Sequence, residues 1–203
     1  MDTDTAAPST MEKTRRAVFL DRDGVLNEDR NYLWKPEDFV LLPGAVEALS
    51  RLQAAGFLLV VVTNQSGIAR GFYTEQDYQN LTAYMRGLLE GYGIRLAGVY
   101  HCPHHPMHGK GPYRVSCGCR KPQPGLILRA GEELGIDVRR SFLVGDKQSD
   151  MEAGRTAGVG RCILVKTGHV LGKKDIAAAD ICLNDLREAS DWIISHSNAQ
   201  QTG

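Results

Sequence analysis

The 203-residue sequence carries no net charge: 24 Lys and Arg balance 24 Asp and Glu. The basic excess that drives attachment to nucleic acid or to an anionic membrane is therefore missing, and long polyanions are set aside as partners, although a small anionic substrate is not. A long hydrophobic run is missing too. The richest, FLLVVV at 57–62, is bounded by Gly56 and Thr63 and falls well short of the roughly 18 apolar residues that a membrane span needs. The leading stretch MDTDTAAPSTMEKTRR has no apolar centre of the kind an export signal requires. It is expected to form a disordered tail over 1–15 before a cytoplasmic domain, with a second flexible tail over 196–203. Cysteines number five, an odd count and too few for a disulfide scaffold.

What is present, 42% hydrophobic and 24% charged residues, is the composition of a globular domain. A chain of this length buries roughly 70% of its unfolded surface, so the core needs no staple and any metal must have a local task. One domain over 16–195 is expected, and since no apolar helix face is left unassigned, a monomer.

Short β-branched or aromatic runs at 17–20, 57–62, 98–100, 142–144 and 162–165 read as buried strands. Amphipathic stretches separate them: Val46, Leu49 and Leu52; Tyr78, Leu81, Met85, Leu88 and Leu89 after a Thr74/Asp77 capping box; Ile127, Ala130 and Leu134; 150–157; and Leu186, Ala189 and Ile193. Strand and helix alternate, which predicts an α/β, Rossmann-like three-layer domain with a mostly parallel sheet and ligands bound at the carboxyl ends of its strands. Polar residues follow the apolar runs where that edge should lie: Asp21-Arg22-Asp23-Gly24, then Thr63-Asn64-Gln65-Ser66-Gly67, then Gly145-Asp146-Lys147.

Asp21 and Asp23 are spaced to face one site, and Asp146 and Asp150 bring further carboxylates to the same edge. Like charges held together repel unless a cation lies among them, and hard carboxylate oxygens at an open edge suit Mg²⁺. The Thr63 hydroxyl, the amides at 64–67, Lys121 and Lys147 are groups that read phosphate. Acid, metal and cations together imply phosphoryl chemistry. Separately, Cys102, Cys117 and Cys119 with one imidazole from His101, His104, His105 or His108 supply a tetrahedral zinc set. The segment PHHPMHGKGPYRVS between them has too few apolar residues to pack itself, so zinc there would be structural and would fix the backbone that presents Arg120 and Lys121.

Four motifs in this order, Asp21-Arg22-Asp23-Gly24-Val25, Thr63-Asn64, Lys121-Pro122 and Gly145-Asp146-Lys147-Gln148-Ser149-Asp150, resemble those of the haloacid dehalogenase (HAD) superfamily of phosphatases. The resemblance implies Asp21 as nucleophile, Asp23 as acid and then base, and Thr63 and Lys121 as holders of the transferring phosphoryl group. It implies Mg²⁺ on the Asp21 and Asp146 carboxylates and the Asp23 carbonyl, with Asp150 one step back, and Zn²⁺ on Cys102, His104, Cys117 and Cys119 in a loop at 101–120. The spaces between the motifs leave no room for a cap domain. FLDRDGVLN, VVTNQSGIARG, CPHHP with the CRKP ending, and VGDKQSDM are similar to the superfamily's phosphatases of heptose bisphosphate. That similarity implies a sugar bisphosphate substrate contacted by Asp29, Arg30, Asn31, Tyr32, Thr63, Asn64, Gln65, Ser66, Arg120, Lys121 and Lys147. Histidinol-phosphate phosphatases share the zinc loop, and a phosphatase of DNA ends shares the architecture. A zinc-binding interaction module with a vestigial site is the alternative of another class, to which the intact Asp21, Asp23, Thr63, Lys121 and Asp146 are opposed.

Overall fold

The computed structural model describes residues 15–198, so the expectation of a disordered tail over 1–15 falls, but for Arg15, outside the described residues. In chain order the elements are β1 (Ala17–Leu20), α1 (Ala45–Ala54), β2 (Leu58–Asn64), α2 (Ser66–Arg70), α3 (Glu75–Gly91), β3 (Leu96–Cys102), α4 (Gly125–Leu134), β4 (Phe142–Gly145), α5 (Gln148–Ala157), β5 (Arg161–Val165), α6 (Lys173–Ala178), β6 (Ile181–Leu183) and α7 (Leu186–Asn198). The last helix runs through Asn198, past the expected end of the domain at 195.

All six strands are parallel, in the order β3-β2-β1-β4-β5-β6. The period of two along β1 divides the interior. Val18 and Leu20 enter one core with Leu49 and Leu52 of α1, Leu81 and Met85 of α3 and Ile193 of α7, while Ala17 and Phe19 enter the other with Ile127 and Ala130 of α4 and Met151 of α5. Helices on both faces make the three expected layers. Phe19, paired in register with Val60 and Leu143, has no exposed surface; truncating such a residue to alanine costs about 3–5 kcal/mol.

Local signals set the helix ends. The Thr74 hydroxyl accepts from the Asp77 amide at 3.1 Å and the Asp77 carboxylate accepts from the Thr74 amide at 2.8 Å, which closes the capping box before α3. Three elements escaped the hydrophobic pattern: α2, α6 and β6, at five, six and three residues, are too short to show a period. Between β1 and α1, and between β2 and α4, the described chain inserts no further folded unit beyond α2, α3, β3 and short turns, as the absence of a cap domain requires.

From the central strand β1 the order runs outward both ways, to β2 and to β4. Their carboxyl ends thus splay apart at β1 and open a crevice where Asp21 begins.

Candidate active site

Asp21 leaves β1 with its amide still donating to the Val144 carbonyl at 3.0 Å, so the central strands set its position. Its Oδ1 accepts from the Arg22 amide at 2.8 Å and lies 3.0 Å from Lys121 Nζ, which leaves Oδ2 without a donor among the described residues. Burial pushes the Asp21 carboxyl above its ordinary range, against the pull of Lys121. Gly24, at φ 84°, then turns the chain; a Cβ there would stand 2.6 Å from Asp146 Oδ2.

Asp146 and Asp150 arrive from β4 and α5, and with Asp21 they bring three buried carboxylates within 4.8 Å of one another. Their surroundings differ sharply. Asp150 is fully used: Oδ1 lies 2.6 Å from Lys121 Nζ and Oδ2 accepts from the Lys147 amide at 3.0 Å. Asp146 is fully buried and neither oxygen has a hydrogen-bond partner among the described residues; Lys147 Nζ and His169 Nδ1 stay at 3.4 and 3.5 Å from Oδ2. Burial, with Asp21 and Asp150 adding to it, pushes Asp146 up to about 8. An orphaned pair of buried carboxylate oxygens beside the donor-free Oδ2 of Asp21 is a donor set that fits Mg²⁺, a cation that needs only one or two carboxylates and fills its remaining positions with water and phosphate.

Lys121 Nζ is buried on the crevice floor and also donates to the Val62 carbonyl at 2.7 Å. Burial alone would lower its pKa, but Asp150 and Asp21 outweigh it and the net direction is up. Asn64, which lines the crevice as expected of a substrate contact, also clamps this lysine: its amide donates to the Lys121 carbonyl and accepts from the Lys121 amide, each at 3.0 Å. Asp23 presents its carboxylate beside the crevice with Arg22 paired to Oδ2 at 3.0 Å and Asn27 donating to Oδ1 at 2.9 Å. Neither Arg22 nor Asn27 was singled out from the sequence, and a motif reading gives no sign of them because both act from within the turn.

The crevice encloses about 510 Å³ and is lined by Asp21, Asp23, Asp29, Asn31, Tyr32, Thr63, Asn64, Gln65, Ser66, Arg120, Lys121 and Lys147, with Tyr73, Pro122, Ser149 and Asp150. Every expected substrate contact but one therefore meets there. The exception is Arg30, whose guanidinium turns away to pair with Glu28 at 2.8 Å on the exposed surface. The backbone explains why: Asn31 and Tyr32 follow with φ of 52° and 63°, a left-handed kink that brings their side chains to the crevice and leaves Arg30 outside it. Tyr32 meets the Phe72 ring edge-on at 4.8 Å, and the Arg70 guanidinium lies 5.6 Å over its face. Lys147 Nζ reaches across to Asp29 at 3.2 Å.

The other cluster lies beyond Arg120. Cys102 ends β3, and its Sγ is 3.5 Å from Cys117 Sγ and 3.2 Å from Cys119 Sγ; Cys117 and Cys119 are 3.2 Å apart, and His104 Nδ1 lies 3.7 and 3.5 Å from Cys102 and Cys119. A tetrahedron with Zn–S bonds of about 2.3 Å has edges of about 3.8 Å, so these four donors could hold zinc after an outward shift of a few tenths of an ångström. None of the cysteines is bridged. The sulfurs share protons unequally: burial pushes Cys102 up, whereas hydrogen bonds from Cys119 and Cys102 outweigh burial at Cys117 and bring it down to about 7. The choice among four histidines is made by geometry. His101 points to Glu75 at 3.0 Å and stacks on Tyr78, and His105 accepts from the amides of Met107 and His108. Arg120 joins the two clusters, donating from Nη1 to the His104 carbonyl at 3.2 Å.

A parallel sheet with an acidic crest at its switch point, a buried lysine and a threonine at a neighbouring strand end defines an HAD-like hydrolase, and residues 118–189 match the family model described as HAD-hydrolase-like. The chain is 50% identical over 174 residues to the D-glycero-beta-D-manno-heptose-1,7-bisphosphate 7-phosphatase of Pasteurella multocida, which covers 86% of this chain and 94% of that one. It is 46% identical over 178 residues to the enzyme of the same name from Vibrio cholerae, with 88% and 96% covered. Among solved structures, the D,D-heptose 1,7-bisphosphate phosphatase of B. bronchiseptica, complexed with magnesium and phosphate, superposes with a TM-score of 0.77 at 30% identity over 89% of this chain and 99% of that one. The chain belongs to the D-glycero-beta-D-manno-heptose-1,7-bisphosphate 7-phosphatase family.

Proposed function

We propose that this protein hydrolyses the 7-phosphate of D-glycero-D-manno-heptose 1,7-bisphosphate through an aspartyl-phosphate on Asp21, in a route to nucleotide-activated heptose for surface polysaccharide. The observation that carries the reading is the unequal treatment of the carboxylates: Asp150 is saturated by Lys121 and the Lys147 amide, while both Asp146 oxygens are buried without a hydrogen-bond partner and Asp21 accepts through Oδ1 alone. Mg²⁺ held by Asp21, Asp146 and the Asp23 carbonyl would supply positive charge against the phosphoryl oxygens, with Asp150 supporting from behind. At 4 Å and an effective dielectric of 20, each pair of unit negative charges repels by about 4 kcal/mol, so an anionic nucleophile needs such help to approach a phosphate.

Asp21 attacks phosphorus as the P–O bond to the sugar breaks, and Asp23 gives its proton to the leaving sugar oxygen. Asp23 then takes a proton from water, the resulting hydroxide attacks phosphorus, and Asp21 is released with inorganic phosphate. Thr63 donates its hydroxyl to the phosphoryl group, and Lys121 offsets charge on Asp21 beside it. The second phosphate of the substrate is held on the wall where Arg120 stands, a guanidinium with no carboxylate partner among the described residues. Zn²⁺ on Cys102, His104, Cys117 and Cys119 is structural in this reading. The protein works as a monomer in the cytoplasm, where thiolates persist, and no nucleic acid takes part.

A direct comparison of heptose bisphosphate with histidinol phosphate, each with Mg²⁺, tests the reading. The expected kcat/KM favours the bisphosphate by at least about tenfold, the value of one charged hydrogen bond to the second phosphate. Parity, or a preference for histidinol phosphate, overturns it.

A further inference from the structure

Gln65 lines the crevice, yet the residue is buried and its amide is turned to protein partners. Its Nε2 donates to Asp23 Oδ2 at 3.1 Å and to Thr63 Oγ1 at 2.9 Å, and its Oε1 accepts from Tyr73 Oη at 2.5 Å and Arg22 Nη2 at 3.3 Å. The chemistry of the partners fixes which end is which. A guanidinium can only donate, so the oxygen must face Arg22, which leaves the nitrogen to face Asp23 and Thr63. A flipped amide would set its N–H against the Arg22 N–H. Tyr73 strengthens the lock: burial pushes its phenol up, so it remains a donor. Gly67 makes room for it, since a Cβ there would stand 2.1 Å from the ring.

We propose that Gln65 is a positioning residue that couples the acid–base group Asp23 to the phosphoryl-binding Thr63, with Tyr73 and Arg22 as its orienting partners. One amide NH₂ does both tasks. Through one hydrogen it fixes the Asp23 carboxylate on the side of the leaving oxygen. Through the other it occupies a lone pair of Thr63 Oγ1, so that the threonine's own proton must point elsewhere, toward the phosphoryl oxygens. Asp23 receives five donor contacts from Arg22, Asn27 and Gln65, and only that from Gln65 ties it to a second strand end. This inference rests on the phosphoryl-transfer reading above and adds to it a residue that touches neither the nucleophile nor the leaving group.

The two tasks separate by leaving group. p-Nitrophenolate departs without a proton, whereas phenolate and above all a sugar alkoxide need one from Asp23. The experiment is kcat/KM of the magnesium-loaded enzyme for p-nitrophenyl phosphate, phenyl phosphate and heptose bisphosphate, in wild type, Gln65→Leu and Tyr73→Phe. A loss of Thr63 orientation lowers all three rates together. A loss of Asp23 positioning lowers the ratio of phenyl to p-nitrophenyl phosphate, by about tenfold for Gln65→Leu and about threefold for Tyr73→Phe, a part of the 10²–10⁴ that a positioned acid supplies. The ratio for heptose bisphosphate should fall further, since its leaving alkoxide depends most on the proton. An unchanged phenyl to p-nitrophenyl ratio in Tyr73→Phe, a variant that keeps the ring in its pocket, overturns the proposal even if Gln65→Leu fails to fold. Wild-type enzyme that cleaves both aryl esters but not heptose bisphosphate would instead overturn the substrate assignment and leave the ratio to judge Gln65.

Discussion

Two clusters of potential metal ligands lie on either side of Arg120, and they are held together by different means. The acidic one, Asp21, Asp146 and Asp150, stands on the ends of β1 and β4 and the first turn of α5, with Lys121 bridging two of its three members. The thiol one, Cys102, His104, Cys117 and Cys119, has a single member on a strand, and the rest hang on a loop whose own packing is sparse. In the first, backbone hydrogen bonds of the sheet fix the strand ends and one buried cation, Lys121, pairs with Asp21 and Asp150, while neither oxygen of Asp146 has a hydrogen-bond partner among the described residues. In the second, the sulfurs meet at 3.2 to 3.5 Å on a loop held by a few backbone hydrogen bonds, such as His105 N–H to the Tyr113 carbonyl and Lys110 N–H to the Ala69 carbonyl, rather than by a sheet. The lesson is that one metal would serve chemistry on a frame that is already rigid, and the other would serve the frame itself.

The largest effect that could break this contrast is at the nucleophile. Asp21→Asn should lower turnover by at least about 10⁴-fold with the melting temperature little changed, since the sheet and not the carboxylate holds the strand end. A folded variant that retains substantial phosphatase activity would remove Asp21 from its role. Next comes the thiol cluster, where stripping zinc should lower kcat/KM by about 10²-fold, the cost of an ångström-scale misplacement of Arg120 and Lys121, and should speed hydrogen exchange over 103–120 without touching β1. Unaltered kinetics after verified metal removal would make the two clusters independent.

The smallest effect sharpens the comparison through pH. Asp146 has a folded value of about 8 against an ordinary 3.8, raised first by burial and then by Asp21 and Asp150. Its contribution to the metal-free fold is therefore fully present below pH 3.8 and is lost as pH rises through about 8. Mg²⁺ restores what ionisation removes, so the rise in melting temperature on adding Mg²⁺ should be larger at pH 9 than at pH 6 by about 2–4 °C for each kcal/mol recovered. An Asp146→Asn variant should lose that pH dependence. Equal shifts at both pH values would show that Asp146 is not the group the ion relieves.

Much of this site was legible before any coordinates. Motif spacing after each apolar run put Asp21, Thr63 and Asp146 on one edge, because in a parallel sheet every strand end of that kind faces the same way. The direction of side chains was less legible. Arg30 was read as a substrate contact from its place between Asp29 and Asn31, yet the two positive φ values that follow turn it outward to Glu28. Asn64 and Gln65 line the crevice as their place after Thr63 implied, but the bonds they make, Asn64 to Lys121 and Gln65 to Asp23, carry no mark in the sequence. Polar side chains in a turn choose partners by reach and by the donors left unpaired around them, and sequence distance carries neither quantity.

By itself the sequence determined the alternation of strand and helix, the edge on which the ionisable residues gather, and the residue types needed for phosphoryl transfer and for a thiolate metal site. Those follow from short-range rules of period, turn and donor chemistry that act within about ten residues of chain. Tertiary structure decided which imidazole lies beside the thiols where residue spacing left four open, which carboxylate has neither oxygen hydrogen-bonded, and that one glutamine joins Asp23 to Thr63. Each of these depends on groups from different strand ends meeting within 3 to 4 Å, a matter settled only when the sheet closes and burial makes every unpaired polar atom costly.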